Sequence, residues 1–400
     1  MKKARNAVML FCCLTVLCIA ANACSAQDTE DIPERESLLL WSYYETEEQR
    51  NTLDSIVEEF NEQQENYQLS WEYVPMTEFM RRLAIGVTGE ETPDIVIMDN
   101  PDMKSCIQQG MLEDMTEELG DIDESLYFPQ VWDSVTHEGK LYGVPFCCNS
   151  LLLVYNKDVF EEYGVNPPAT PQQLYETARM LTSGSRKGFL MSAVSGEQGA
   201  FQILTWILNE GETVDTLGGE ATTSAFSFVK RLTDEEIMDI QCVNWTQVDI
   251  CRKFIEGEAA MMLNGPWVFN MLEESGVSYD IVPIPSEGVS GSVVGGENLG
   301  VVTGKNKEGA AEFLKFYSQD DVMYSVCKEQ GALPPKMELA ERAVQEDPRY
   351  EKVKNMVEQG ISRTSIPNWQ TLSEKLTTAL RETILGEISP EEAAVQLNFN

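Results

Sequence analysis

The chain has 400 residues, 42% hydrophobic and 9% aromatic, which excludes a disordered polymer and is too long for one ordinary core, so two or more lobes are expected. With 66 acidic residues against 29 basic ones, the formal charge is −37. Such a surface repels phosphate backbones and anionic lipid headgroups, which excludes nucleic acid as a partner.

Lys2, Lys3 and Arg5 precede an apolar run at 7–20 that is shorter than the ~20 residues of a membrane span. It reads as an export signal, with small residues at Ala21, Asn22, Ala23 and Cys24. Two outcomes are open: cleavage after Ala23 with release, or Cys24 as a modified new N-terminus. Loss of residues 1–23 removes three basic and no acidic groups, so the mature charge is −37 − 3 = −40.

Beyond a polar stretch to Ser37, residues 38–41 form a short apolar strand ending in Tyr43, Tyr44 and Glu45. A helix follows, with Leu53, Ile56, Val57 and Phe60 at helical spacing. Residues 69–74 alternate as a strand, 79–87 are helical, and 93–98 are a buried strand ending at Asp99 and Asn100. This β-α-β-α-β order predicts an α/β fold with an open sheet, whose ligands bind beyond the carboxyl ends of the strands. Next comes a short strand interrupted by Pro145, then the apolar run 151–155, a strand buried on both faces. Asn156 starts a short helix that Gly164 stops. This segment reads as one strand leaving a first compact unit and entering a second. Further on, 189–194 and 259–263 read as strands, 199–208, 222–232 and 248–256 as helices, and Asn264-Gly265-Pro266-Trp267 as a helix start. A loop-rich stretch at 283–296 precedes a strand at 299–302, a helix at 310–317 and a helical C-terminal part.

Catalytic chemistry finds little support. The single histidine, His137, sits in a turn, and zinc sites use several His or Cys ligands at set spacing. There is no nucleophile elbow and no phosphate-binding loop. No carboxylate pair stands out, and neighbours such as Glu47 and Glu48 fall on polar helix faces. Of ten cysteines, Cys12, Cys13 and Cys18 lie in the signal. Six others (Cys106, Cys147, Cys148, Cys242, Cys251, Cys327) lack CxxC spacing and read as small buried thiols. A Cys242–Cys251 bridge is left open. Neither a metal nor a cofactor is expected.

Several segments, in order, carry a resemblance: TPDIVIMD and QGMLEDMT, then LYGVPFCCNSLLLVYNKDVFEEYGVNPPATPQQL, FIEGEAAMMLNGPW, IVPIPSEG with GGENLGVV, LPP, IPNW and LGEISPEEAA. Together they resemble the extracellular solute-binding proteins of ABC importers, in particular sugar-binding lipoproteins related to maltodextrin-binding protein. The resemblance implies a two-lobed periplasmic-binding-protein type II fold, with a ligand cleft between lobes and three crossover segments. Residues 1–23 would be the signal peptide and 24–36 a tether. Residues 37–149 with 297–345 would form the first lobe, and 150–296 with 346–400 the second. Cys24 would be lipidated, although Ala21 stands where lipoproteins usually carry a larger aliphatic residue. The protein would be exported and held on the outer face of the cytoplasmic membrane, or in the periplasm, by its lipid alone. It would act as a monomer without catalysis. Its partners would be a carbohydrate and the permease subunits. Alternatives are a non-sugar ligand on the same fold (an iron chelate through Tyr43 and Tyr44, a polyamine or a peptide) or an exported carbohydrate-active enzyme.

A pyranose offers an apolar face and a rim of hydroxyls, which suits aromatic platforms and side chains that both donate and accept. The resemblance implies Trp267 as a stacking platform at its strand end and Asn149 as a polar contact at the lobe crossover. Tyr43, Tyr44 and Glu45 follow the first strand, and Asp99 follows the buried one. Phe201 starts a helix, where cleft and core are both open, whereas Trp206 reads as core. Glu297 and Asn298 follow two glycines at the return crossover, where backbone can approach a ligand closely. Trp369, in a loop before a helix, would be the other platform. The hinge would run through 145–151, with Cys147 and Cys148 as small packing residues.

Overall fold

Leu38, Leu40 and Trp41 are buried in β1 (Glu36–Ser42), whose carboxyl end runs into Tyr43, Tyr44 and Glu45. Thr46 and Gln49 form a capping box that starts α1 (Glu47–Gln63) directly afterwards, so the chain turns back at once and leaves those three residues at the sheet edge. In this computed structural model, residues 35–86, 92–211, 213–288, 292–366 and 368–397 are described. The expected signal, Cys24 and the tether as far as residue 34 lie outside them.

The chain continues through β2 (Tyr67–Tyr73), α2 (Met76–Gly86), β3 (Ile95–Asp99) and α3 (Asn100–Gln108). All five residues of β3 are buried, as its unbroken apolar run predicts for a strand covered on both faces. The longer strands that follow are β4 (Gly143–Pro145), β5 (Leu152–Asn156) and, after helices α4 (Glu197–Asn209) and α5 (Gln247–Ile255), β6 (Met261–Asn264). Later come β7 (Tyr279–Val282) and β8 (Glu297–Val301), with α6 (Trp369–Leu385) near the end of the chain.

Two sheets result. The first has the order β2-β1-β3-β8-β4, with β1 parallel to β3 and β8 antiparallel to both β3 and β4. The second has the order β6-β5-β7, both outer strands antiparallel to β5. Each sheet sits in its own apolar core. One core contains Leu40, Ile97, Phe146 and Leu299, the other Leu153, Trp206, Phe254 and Leu376. Truncating a residue such as Ile97 to Ala, at the centre of the first sheet, costs about 2–5 kcal/mol. This is a two-lobed α/β fold.

Backbone crosses between the lobes in three places, and the crossings are bonded to one another. Cys148 exchanges backbone hydrogen bonds with Leu333 at 2.9 and 3.1 Å, and Asn149 exchanges them with Gly295 at 3.1 and 2.9 Å. Gly296 sits among them with φ +125°, and a Cβ there would lie 2.2 Å from the carbonyl oxygen of Cys147. Only glycine fits both the angle and the space.

The expected strand at 189–194 is not a ladder strand. Leu190 bridges Met262 alone. Beyond it, the Ser192 N–H donates to the Gln202 side chain and the Ala193 N–H to the Cys242 carbonyl, so the donors are consumed before a ladder can extend. Trp206 is core, as expected. Cys242 and Cys251 are separate, buried, free thiols.

Candidate ligand-binding cleft

A cavity of about 120 Å³ opens between the lobes where the strand ends and the crossings meet. From the first lobe, the carboxyl end of β1 brings Tyr43, Tyr44 and Glu45, and the end of β3 brings Asp99. The crossings bring Cys147, Asn149, Gly296 and Glu297. The second lobe supplies Glu197, Gln198 and Phe201 from the start of α4, Gln247 and Val248 from the start of α5, Trp267 and Arg363. Met76 and Gln198 meet across the cleft, with Sδ and Nε2 3.9 Å apart.

Trp267 enters the wall because Gly265 precedes it. The indole lies over that glycine, where a Cβ would stand 2.0 Å from its Cζ3. Phe201 and Trp267 then form a tilted pair with centroids 6.5 Å apart at 33°. Tyr43 is edge-on to both Tyr44 and Phe79, and burial pushes both tyrosine hydroxyls well up.

Two carboxylate clusters differ in character. Arg363, 2% exposed, grips Asp99 with two prongs at 2.7 and 3.0 Å and reaches Glu197 at 2.8 Å. It also donates to Asn100 at 3.3 Å and lies 4.5 Å above the Phe201 ring. Glu197 further accepts from Trp369 Nε1 at 3.0 Å and from the Ser373 hydroxyl. Burial raises both carboxyls, and the Arg363 charge pulls them back. Glu297, in contrast, has only neutral donors, the Cys147 thiol at 2.8 Å and the Tyr43 hydroxyl at 3.3 Å. Burial pushes its carboxyl up to about 7, those two hydrogen bonds pull it down, and the nearby Asp99 charge adds to the rise. At the mouth, burial and then Asp249 raise Glu45, while Arg252 and Arg50 oppose them.

Several buried polar atoms of the lining have no partner: Gln247 Nε2, Gln330 Nε2, Arg363 Nε and Asn149 Oδ1, the last against Gly295. Unpaired buried polar atoms are costly; these four belong to residues of one cavity lining, while others lie elsewhere in the cores, among them those of Trp41, Tyr127, Trp132 and Trp206.

Of the residues expected from sequence, Tyr43, Tyr44, Glu45, Asp99, Asn149, Phe201, Trp267 and Glu297 are brought together here. Asn298 and Trp369 are not. Successive strand residues face opposite sides, so with Glu297 toward the cleft Asn298 turns back into the first lobe, where its side chain pairs with Ser134 at 2.9 Å. Trp369 is 4% exposed. Its N–H is spent on Glu197, and it borders a separate cavity with Pro101 and Thr371. Sequence reasoning missed Met76, Glu197, Gln198, Gln247, Gln330 and Arg363. Helix N-termini after Gly196 and Thr246 were the only signal for the residues of α4 and α5.

A two-lobed α/β chain with a cleft at its crossings defines the class of hinged solute receptors. The model of the bacterial extracellular solute-binding protein family matches residues 55–352, and the chain belongs to that family. It is 22% identical to the galactooligosaccharide-binding protein of Bacillus subtilis, over 99% of this chain and 96% of that one. It is 25% identical to the sn-glycerol-3-phosphate-binding periplasmic protein of Rhizobium meliloti, over 75% of each. An ABC transporter solute-binding protein from Thermotoga lettingae, solved with alpha-D-tagatose, has the same fold, with a TM-score of 0.82 at 23% identity over 90% of this chain and 96% of that one.

Proposed function

We propose that this protein captures a carbohydrate between its lobes and delivers it to the permease of an ABC importer, without transforming it. The observation that carries the reading is the Phe201–Trp267 pair beside unpaired amides of Gln247, Gln330 and Asn149 in one interlobe cavity. An apolar sugar face suits the rings, and hydroxyls suit amides that donate and accept. The galactooligosaccharide-binding relative and the tagatose-bound neighbour point the same way by name. In this reading the binding residues are Tyr43, Tyr44, Glu45, Asp99, Asn149, Phe201, Trp267 and Glu297, joined by Gln247 and Gln330. Catalysis is disfavoured because Asp99 and Glu197 share one arginine rather than standing free as acid and base. A calorimetric screen with mono- and oligosaccharides tests the reading. Heat of binding from a carbohydrate supports it, whereas binding only of peptides, polyamines or iron chelates overturns it.

The proposed lobes are 37–149 with 297–345 and 150–296 with 346–400. The distribution of the two cores favours this division, although Phe128, Val131, Cys148, Leu333 and Ala340 of the first lobe join the second core. Hinge closure on the ligand would create the form that the permease recognises. We further propose that residues 1–23 are removed and that Cys24 carries the lipid, holding a monomer outside the cytoplasmic membrane. Mass spectrometry of the mature N-terminus checks this, and an unmodified Cys24 would refute it.

A further inference from the structure

We propose that the carbohydrate taken by this cleft carries a protonated amine, an amino sugar or aminated oligosaccharide whose ammonium meets Glu297. The inference rests on the carbohydrate reading and narrows it.

Charge at the cavity is lopsided. Glu45, Asp99, Glu197 and Glu297 line it, and Arg363 is the only cation among the described lining residues. Arg363 keeps an unpaired Nε–H, but its charge is already engaged, since its two terminal nitrogens hold Asp99 and Glu197. The arginines near the mouth are engaged as well. Arg252 pairs with Asp249 at 3.0 Å, and Arg50 donates to the Tyr44 carbonyl at 3.3 Å while stacking on Tyr73. A phosphate or carboxylate solute would therefore enter with no counter-charge, which is costly in a desolvated site.

Glu45, exposed at the mouth, and Glu297 are the lining carboxylates that Arg363 does not hold, and Glu297 is the deeper of the two. It is half-buried and accepts only from a thiol and a phenol. The other titratable groups facing it are Tyr44, Cys148, Cys327, Asp99 and the already paired Arg363. Burial holds its carboxyl up near 7, and the Asp99 charge adds to the rise against the pull of its two hydrogen bonds and of Arg363. An ammonium supplies the missing charge and three donors. The ring faces of Phe201 and Trp267 also attract a cation more than a neutral group. That a ligand completes this site is indicated independently by Gln330, 4% exposed, whose Nε2 has no partner at the cavity wall.

The test is isothermal titration of the full mature chain with matched sets: glucosamine, galactosamine and mannosamine, their N-acetyl forms, the parent hexoses, the hexose 6-phosphates, and chitosan against chitin oligosaccharides. An amine should bind tighter than its N-acetyl and hydroxyl counterparts by roughly tenfold to a hundredfold. That preference should grow from pH 5.5 to 7.5 as Glu297 ionises and should collapse in Glu297→Gln. Equal or tighter binding of a neutral or phosphorylated member overturns the proposal while leaving the carbohydrate reading standing. So does an amine preference that persists in a folded Glu297→Gln protein. Binding of no carbohydrate at all overturns the carbohydrate reading, and this inference with it. Should the variant not fold, the matched sets and pH profile on the unaltered protein decide.

Discussion

The cleft holds two groups of buried carboxylates that solve one problem in opposite ways. Asp99 and Glu197, from different lobes, share the guanidinium of Arg363. Glu297, at a crossing between the lobes, leans on Cys147 and Tyr43 instead. A buried ion pair adds little net stability, but a broken one is expensive. The first cluster is therefore an ion-paired strut, tying β3 to the second lobe. The second is unsaturated and keeps capacity for a ligand.

The largest blow to this contrast falls on the strut. Arg363→Met leaves two buried carboxylates without a counter-charge and should cost about 3–5 kcal/mol, seen as a lower urea midpoint. Adding Asp99→Asn and Glu197→Gln should restore part of that loss. No restoration would mean that the arginine acts through packing on Phe201 rather than through charge.

Titration probes the other cluster. The carboxyl of Glu297 is raised from 4.5 to about 7 in the folded chain. Between those values the folded state holds a proton that the unfolded state has lost, so stability falls as pH rises through that window. Allowing for partial exposure, the decline due to Glu297 should be about 2 kcal/mol. Thermal melts from pH 4.5 to 7.5 should show a shallower decline in Glu297→Gln, and parallel curves would contradict the assignment.

Of similar size, but on binding alone, Trp267→Ala should weaken carbohydrate affinity by about thirtyfold, because the ring is half-buried on a cavity wall. Calorimetry reads the affinity and a melt of the empty protein checks that the fold survives. The mildest change is Tyr43→Phe. It removes one neutral donor from Glu297, worth about 1 kcal/mol, and should move the titration of that carboxyl upward, measurable by carbon NMR of labelled glutamate.

Strand-end residues were legible early because short apolar runs announce where strands stop, and ligands of open sheets gather there. Tyr43 and Asp99 follow from strand ends, Trp267 from the family resemblance together with its strand-end position, and the glycines before Glu297 flag the return crossing. Asn298 was a misstep that alternation along a strand could have prevented. Trp369 is harder. A loop aromatic before a helix has the same local sequence whether its ring faces a cleft or its N–H is drawn to a carboxylate 172 residues away.

By itself, then, the sequence determined the order of strands and helices, the strand ends that line the cleft and the glycines that let the crossings meet, because periodicity, capping and turn chemistry act over a few residues. Only the tertiary structure decided which charges are neutralised and which are left open. Arg363 meets Asp99 across 264 residues of chain and Glu197 across 166, and Gln247 and Gln330 become orphans of the cavity through the packing around them. Charge pairing and burial depend on distance in space and on exclusion of water, and neither is written in the spacing of residues along the chain.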